Sequence, residues 1–380
     1  MNFSTIYEVT LKTEFNGHTI PTENLKCFLD YIAGEIKRKF LESEFIRSLP
    51  QGLIKEHILA YSIRGGKNLR PGLFCAAIGA VEGNPLQYLT VAAAIEMFHT
   101  WTLVHDDIID RDTSRRGGPT MQVAIRKVIE SNWKGQEVPC EHIANALAIL
   151  IGDAQQGMVM NLIAKSAKYQ EISPELMIEI IDELEGKILP TVMAGEVEDM
   201  LQTQISLDDI TPEIIAGMLK KKTGALLTFA LTTGALVGMN STDRNHQYVI
   251  ALKCFGDHLG LAFQIRDDIL GIIGTEEKLG KPIGSDFREG KRTLALKFAY
   301  DHALTKDQDR VKHMLNKRNL SAKDITYLRS FVVDNGGIEK ANKNMHDHLN
   351  QSVHALENLP DTEYRSLLAK FVDYLRVRDR

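Results

Sequence analysis

Apolar side chains recur at intervals of three and four along most of this chain. That spacing predicts amphipathic helices over Leu53–Ile63, Leu89–Ile109, Ala144–Ala164 and Glu175–Ile188. β-branched runs such as Thr191–Val192 and Phe331–Val333 are too short, and do not alternate, to form regular strands. Ser173–Pro174 before Glu175, and Thr211–Pro212 before Glu213, read as helix starts with proline in the first turn. Glycine and proline punctuate the chain at Arg64–Pro71, Gly117–Pro119, Thr211–Pro212 and Leu279–Gly284. The polar stretch Val128–Glu141, with Trp133, Gly135 and Pro139, reads as a loop between helices. The greasiest run, Gly224–Met239, contains three threonines and falls short of a membrane span, so it reads as a core helix. These patterns define an all-α fold. No Ser/Gly linker or short-period repeat divides the chain, so a single domain is the simpler reading.

Composition narrows the function classes. With 380 residues, 44% hydrophobic and 25% charged, the chain has the balance of a folded globular protein. A formal net charge of −5 gives no general attraction to nucleic acid or to anionic membrane. Cys27, Cys75, Cys140 and Cys254 are scattered without a C-x-x-C pair, which argues against zinc and against a disulfide framework. Met1–Glu14 is polar and lacks a basic region followed by an apolar core, so no signal peptide is expected and the cytoplasm is the expected compartment.

The candidate chemistry lies in two acidic segments. Leu103-Val104-His105-Asp106-Asp107-Ile108-Ile109-Asp110 ends a strongly apolar helical run. Residues four apart share a helix face, so Asp106 and Asp110 stack, with Asp107 about 100° round the helix. Such carboxylates need a counter-charge, and hard oxygen ligands suit Mg²⁺ completed by water and phosphate. A helix emerging into solvent would explain this segment alone equally well. The second segment, Phe263-Gln264-Ile265-Arg266-Asp267-Asp268, repeats the arrangement, and Gly280-Lys281-Pro282-Ile283-Gly284-Ser285-Asp286 and Gly290-Lys291 follow it. Carboxylates for metal beside cations for phosphate form the set a diphosphate–metal complex requires. Further cations stand at Gly65-Gly66-Lys67-Asn68-Leu69-Arg70-Pro71, Arg115-Arg116-Gly117 and Lys222-Thr223.

In order, G-G-K-x-x-R-P at Gly65–Pro71, D-D-x-x-D at Asp106–Asp110, R-R-G at Arg115–Gly117, G-D at Gly152–Asp153, K-T at Lys222–Thr223, F-Q-x-x-D-D at Phe263–Asp268 and G-K-P-x-G-S-D at Gly280–Asp286 resemble the trans-prenyltransferase family, the polyprenyl diphosphate synthases. The resemblance covers residues 29–380 as a polyprenyl synthase domain and leaves residues 1–28 as an N-terminal extension. It implies an isoprenoid-synthase bundle of helices round a central cavity, assembled as a homodimer, with three Mg²⁺ ions. By the resemblance, Asp106, Asp110 and Asp267 are metal ligands, and Asp107 and Asp268 are nearby ligands or acceptors supporting them. Arg115, Lys222, Thr223, Gln264, Lys281 and Lys291 then hold an allylic diphosphate. Lys67, Arg70, His99 and Arg116 hold isopentenyl diphosphate. The implied chemistry is ionisation of the allylic diphosphate, attack by the isopentenyl double bond and loss of a proton, with no protein nucleophile. No nucleic acid and no membrane-spanning segment enter this reading.

Two departures stand out. The second acidic motif ends in Gly271 where many relatives carry a third Asp, and Glu196 in Gly195–Asp199 replaces the family's Gln. Trp101 and Phe98 lie five and eight residues before Asp106, three apart on one face, and are candidates for the floor that limits product length. With Gly271 and no insertion in Asp106–Asp110, the pattern looks most like a geranylgeranyl diphosphate synthase. A farnesyl diphosphate synthase is the alternative, and a non-catalytic partner subunit is a third reading that both intact aspartate pairs disfavour.

Overall fold

The computed structural model describes residues 20–134, 136–274, 284–317 and 319–377. It is all-α: among the described residues the only strands are Ser114–Arg115 and Gly118–Pro119, two residues each. The chain forms two compact units, Met1–Gly72 with Leu89–Leu162, and Leu73–Tyr88 with Ile163–Arg380.

In the first unit, the Leu25–Glu42 helix packs on the Leu89–Ile109 helix. It begins at Asn24, whose side chain accepts a hydrogen bond from Cys27 N (3.1 Å), and it buries Phe28, Ile32, Ile36 and Phe40, one residue per turn. Ile20 and Thr22 are buried as well, so packed chain begins ahead of residue 29. The Leu89–Ile109 helix has the predicted bounds. It is buried on every side from Leu89 to Phe98, then turns half-buried from Trp101 and reaches solvent at Ile109. Leu53–Ile63 is two helices, Leu53–His57 and Ala60–Arg64, and the Ile58 carbonyl between them accepts from the Gln155 side-chain amide (2.7 Å).

The loop expected over Val128–Glu141 is shorter than its polarity suggests. Helix continues through Met121–Asn132 and resumes at Cys140. Met121, Ile125 and Ile129 form a buried stripe, and the polar residues Glu130–Asn132 belong to the outer face of the same helix. Cys140–Lys168, at 29 residues, is by length and composition alone apolar enough to cross a membrane, a property the sequence reading had not assigned to it. Ala144, Ala148, Ile151, Met158 and Val159 along it are packed in protein core.

In the second unit, the Gln247–Ile273 helix is flanked by Gly337–Ala355 and Ala225–Gly238. The latter, predicted as a core helix, is buried on all faces. Ser173 and Thr211 cap their helices by accepting from Leu176 N (3.2 Å) and Ile214 N (3.4 Å). Two helices run on through a widened π turn. Pro174–Glu183 passes through Leu184–Ile188 into Leu189–Gln202, where Pro190 lacks an N–H and its ring crowds the preceding turn. Pro212–Leu219 passes through Lys220–Gly224 into Ala225–Gly238. Single π turns inside helices concentrate at functional sites, and this one carries Lys222 and Thr223.

Candidate active site

In the first unit the acidic helix end divides its aspartates between two tasks. Asp110 N donates to Asp106 O (2.8 Å), so Asp106 and Asp110 stack one turn apart and both are half-buried. Asp107 is fully buried. One of its oxygens accepts from Tyr61 Oη (2.5 Å) and the other from Arg115 Nε (2.7 Å). Tyr61 Oη in turn accepts from Met121 N (2.8 Å), and Gln122 Nε2 donates to the Asp107 carbonyl (2.8 Å). Burial pushes the Asp107 carboxyl above the usual carboxylate range, against the opposing pull of Arg115. Asp107 is therefore an anchor within the protein. The resemblance left it as either a ligand or a supporting acceptor, and its bonds suit the second.

Arg115 also reaches Asp112 (3.1 Å) and Asp106 (3.3 Å). Burial works against its charge, but Asp107, Asp106 and Asp112 together raise its proton affinity. Arg116 and Gly117 form the corner of the hairpin that pairs Arg115 with Gly118, and both have positive φ (+52° and +70°). This is the pattern of a tight type I′ turn, so the R-R-G motif is a turn requirement as well as a source of charge. Arg116 donates to Tyr61 O (3.0 Å) and to Glu96 (3.1 Å). Its guanidinium lies against Gly66, where an added Cβ would stand 2.7 Å from Cζ, so the G-G-K turn and the R-R-G turn depend on each other.

His99 is half-buried, and its Nδ1 has no hydrogen-bond partner among the described residues. Burial, then Arg70, Arg116 and Arg115, hold its proton affinity well below the usual value of 6.5. A neutral imidazole facing several guanidiniums suits an incoming anion. A bound diphosphate favours the charged ring, so ¹H–¹⁵N NMR should show His99 titrating below 6.5 in the free protein and at higher pH with isopentenyl diphosphate bound. An unchanged titration would remove His99 from the diphosphate site. Lys67 is exposed and Arg70 half-buried in the same segment.

In the second unit, Gly195 allows the Leu189–Gln202 helix to touch the Lys220–Gly224 turn; an added Cβ would stand 2.3 Å from Lys222 N. This approach puts Lys222 Nζ between Asp199 (2.7 Å) and Glu196 (2.8 Å). The residue that departs from the family's Gln is thus an ion-pair partner of the lysine expected to hold the allylic diphosphate. Thr223 Oγ1 donates to Gln264 Oε1 (3.0 Å), and Gln264 Nε2 donates to Asp268 (3.0 Å). Lys291 lies 4.0 Å from Asp199 and 2.7 Å from Glu289. Arg292 steadies that turn by donating to the carbonyls of Ile205, Gly290 and Thr203. Asp268 is buried, and burial, then Asp286, Asp267 and Asp199, push its carboxyl well above the usual range. Asp267 beside it is half-buried. Lys281 lies outside the described residues.

The two units thus gather most of the predicted residues into local networks. Tyr61, Glu96, Asp112 and Arg292 take part in these networks and were missed in the sequence. They carry no spacing signal, since each meets its partner through packing. The carboxylates are hard oxygen donors of the kind that suit Mg²⁺: Asp106 and Asp110 stack one turn apart, and Asp286, Asp267 and Asp199 all raise the proton affinity of the buried Asp268.

The chain is thus all-α, and its acidic helix ends lie in local networks with arginine and lysine. The Polyprenyl synthetase family model matches residues 53–332. A short chain isoprenyl diphosphate synthase of Methanothermobacter thermautotrophicus is 32% identical over 357 residues, covering 91% of this chain and 98% of that protein. A farnesyl diphosphate synthase of Geobacillus stearothermophilus is 36% identical over 255 residues, covering 66% and 77%. The crystal structure of geranylgeranyl pyrophosphate synthase from Corynebacterium glutamicum, complexed with isoprenyl diphosphate and magnesium, superposes with a TM-score of 0.81 at 26% identity, covering 94% of this chain and 100% of that one. The chain belongs to the polyprenyl synthetase family and is a short-chain prenyl diphosphate synthase, an enzyme that transfers prenyl groups.

Proposed function

We propose that this enzyme condenses isopentenyl diphosphate with an allylic diphosphate by Mg²⁺-assisted ionisation, and that its product is geranylgeranyl diphosphate. The observation that carries the reading is the buried Asp268, which accepts from Gln264, itself accepting from Thr223, while Lys222 pairs with Asp199 and Glu196 in the same unit. Asp106, Asp110 and Asp267 are the proposed ligands, for three ions as the family resemblance implies; bound Mg²⁺ would neutralise the charge that collects on the departing pyrophosphate. The chain's own groups do the rest. Lys222, Thr223, Gln264, Lys291, Lys281 and Arg115 hold the allylic diphosphate while its carbon–oxygen bond breaks. Lys67, Arg70, His99 and Arg116 hold isopentenyl diphosphate so that its double bond attacks the allylic cation, and the proton lost passes to pyrophosphate.

Gly271 and the half-buried Trp101 support the twenty-carbon product, as does the likeness to the Corynebacterium enzyme. The Geobacillus relative keeps farnesyl diphosphate as the second reading. Exposed Ile149 and Leu150 on the Cys140–Lys168 helix support a homodimer, and we place the enzyme in the cytoplasm. Incubation of the purified chain with Mg²⁺, isopentenyl diphosphate and each allylic primer, followed by sizing of the products, tests the reading. A twenty-carbon diphosphate is expected; a fifteen-carbon product replaces the proposal with its alternative, and no product from any primer ends both. In the same assay Lys67→Ala and Arg70→Ala should raise KM for isopentenyl diphosphate about tenfold, and Lys222→Ala should raise KM for the allylic primer instead. Equal shifts for one substrate in all three variants would refute this division of the cations.

A further inference from the structure

Tyr61 precedes the G-G-K turn and belongs to no motif of the sequence, yet it bonds to several of the segments that carry them. The short Ala60–Arg64 helix buries Tyr61 completely. The Tyr61 Oη donates to Asp107 Oδ2 (2.5 Å) and accepts from Met121 N (2.8 Å), and the Tyr61 carbonyl accepts from Arg116 Nη1 (3.0 Å). Arg64 of the same helix lies 5.6 Å from the Tyr61 ring centroid and donates to the Pro119 carbonyl. Tyr61 therefore meets the acidic helix end, the hairpin of Arg115 and Arg116, and the start of the Met121–Asn132 helix. Its two oxygens act on different arginines. The hydroxyl holds one oxygen of Asp107 and so fixes the plane of that carboxylate, leaving Oδ1 to face Arg115, which donates to it from Nε (2.7 Å) and from Nη2. A carboxylate held at one oxygen alone would be free to turn, because its terminal torsion is broad. The carbonyl acts on Arg116 directly, and the ion pair of Arg116 with Glu96 (3.1 Å) does not involve the hydroxyl.

We propose that Tyr61 is the positioning residue for both hairpin arginines, aiming Arg115 through its hydroxyl and Asp107, and Arg116 through its carbonyl. The assignment rests on the reading above in which Arg115 serves the allylic diphosphate and Arg116 serves isopentenyl diphosphate. Its consequence is separable by substrate: the hydroxyl reaches the allylic side alone, and the backbone contact reaches the other. An aromatic residue that only fills the core behaves differently. Loss of its hydroxyl lowers stability and the folded fraction, and leaves the KM of both substrates where it was.

The experiment compares Tyr61→Phe, Arg115→Ala and the double variant Tyr61→Phe/Arg115→Ala in the full chain, reading kcat, the KM of each substrate and the thermal midpoint. Tyr61→Phe keeps the ring and the carbonyl and removes only Oη. It should raise KM for the allylic primer about tenfold, the usual worth of a hydrogen bond to a charged group, and leave KM for isopentenyl diphosphate unchanged. In the Arg115→Ala background the same change should add little, because the guanidinium through which the hydroxyl acts is gone. An unchanged allylic KM in Tyr61→Phe, equal rises for both substrates, or effects that multiply in the double variant overturn the proposal. Tyr61→Phe strands a buried carboxylate oxygen of Asp107. Should it fail to fold, Asp107→Asn against Tyr61→Phe/Asp107→Asn reads the same hydroxyl without the buried charge, with the same rise in allylic KM expected. Arg115→Ala with the allylic KM of the unaltered enzyme would instead bring down the assignment of Arg115 to the allylic diphosphate, so the two failures are distinguishable.

Discussion

Asp106→Ala and Asp267→Ala should each lower kcat by about three orders of magnitude at saturating Mg²⁺, while circular dichroism and the thermal midpoint stay close to those of the unaltered enzyme. The loss falls on kcat because a metal ligand matters most where charge develops on the leaving pyrophosphate, in the transition state and not in the ground state. The fold should tolerate both changes. Asp106 is half-buried and its contact with Arg115 is the long one, 3.3 Å, and Arg115 keeps Asp107 and Asp112 when Asp106 is removed. Asp107→Ala is the informative contrast. It strands a buried Tyr61 hydroxyl and leaves the Arg115 guanidinium short of its principal partner, so stability should fall by about 3–5 kcal/mol. A silent first aspartate and an inactive but fully stable Asp107→Ala would reverse the roles assigned to the pair. Near-normal kcat in both Asp106→Ala and Asp267→Ala would end the metal assignment.

The second large effect concerns product length, and the structure separates two residues that the sequence treats alike. Phe98 and Trp101 pack with tilted rings, 5.1 Å between centroids, and Trp101 continues the row to His105 at 5.4 Å. Phe98 is fully buried, whereas Trp101 is half-buried. Phe98→Ala should therefore cost about 3–5 kcal/mol in stability, the usual result of emptying a packed aromatic site. Trp101→Ala should cost clearly less, since part of its surface already meets solvent or cavity. If Trp101 is the floor, its removal opens most of an indole's volume and should lengthen the product by at least one five-carbon unit; the double change with Phe98→Ala should lengthen it further. Product sizing by chromatography, with a thermal melt of each variant, checks both halves. A well-folded Trp101→Ala enzyme with an unchanged product places the floor elsewhere, for which side chains along Ala144–Ala164 are the next to scan.

What the sequence by itself determined is local and periodic. The helix over Leu89–Ile109 is legible to the residue, because twenty-one positions free of glycine and proline run from an apolar start through Asp106 and Asp107 to the last apolar pair, Ile108 and Ile109. Ser173 and Thr211 announce their helix starts, because a cap is satisfied by a backbone N–H only three residues on. The Gly224–Met239 run is legible as core, because an unbroken apolar surface must be covered on all sides. The Val128–Glu141 loop was misjudged for a related reason: polarity there marks the outer face of a helix, and only its buried stripe of Met121, Ile125 and Ile129 reveals the helix.

Tertiary structure decided which of two identical side chains does what. Asp106 and Asp107 are adjacent and chemically the same, yet Asp107 is sealed by Tyr61, 46 residues before it in the chain, and by Arg115 from the short hairpin that follows the helix. Nothing in the spacing of residues near Asp107 encodes the arrival of Tyr61. Likewise Glu196 reads in the sequence as an unexplained exchange for Gln, and becomes a partner of Lys222 only when Gly195 lets two backbones touch. The physical reason is common to both. Periodicity and capping depend on atoms within a turn or two of chain, which the sequence lists in order, whereas charge pairing and burial depend on which distant helices meet, and that is settled by packing the whole core.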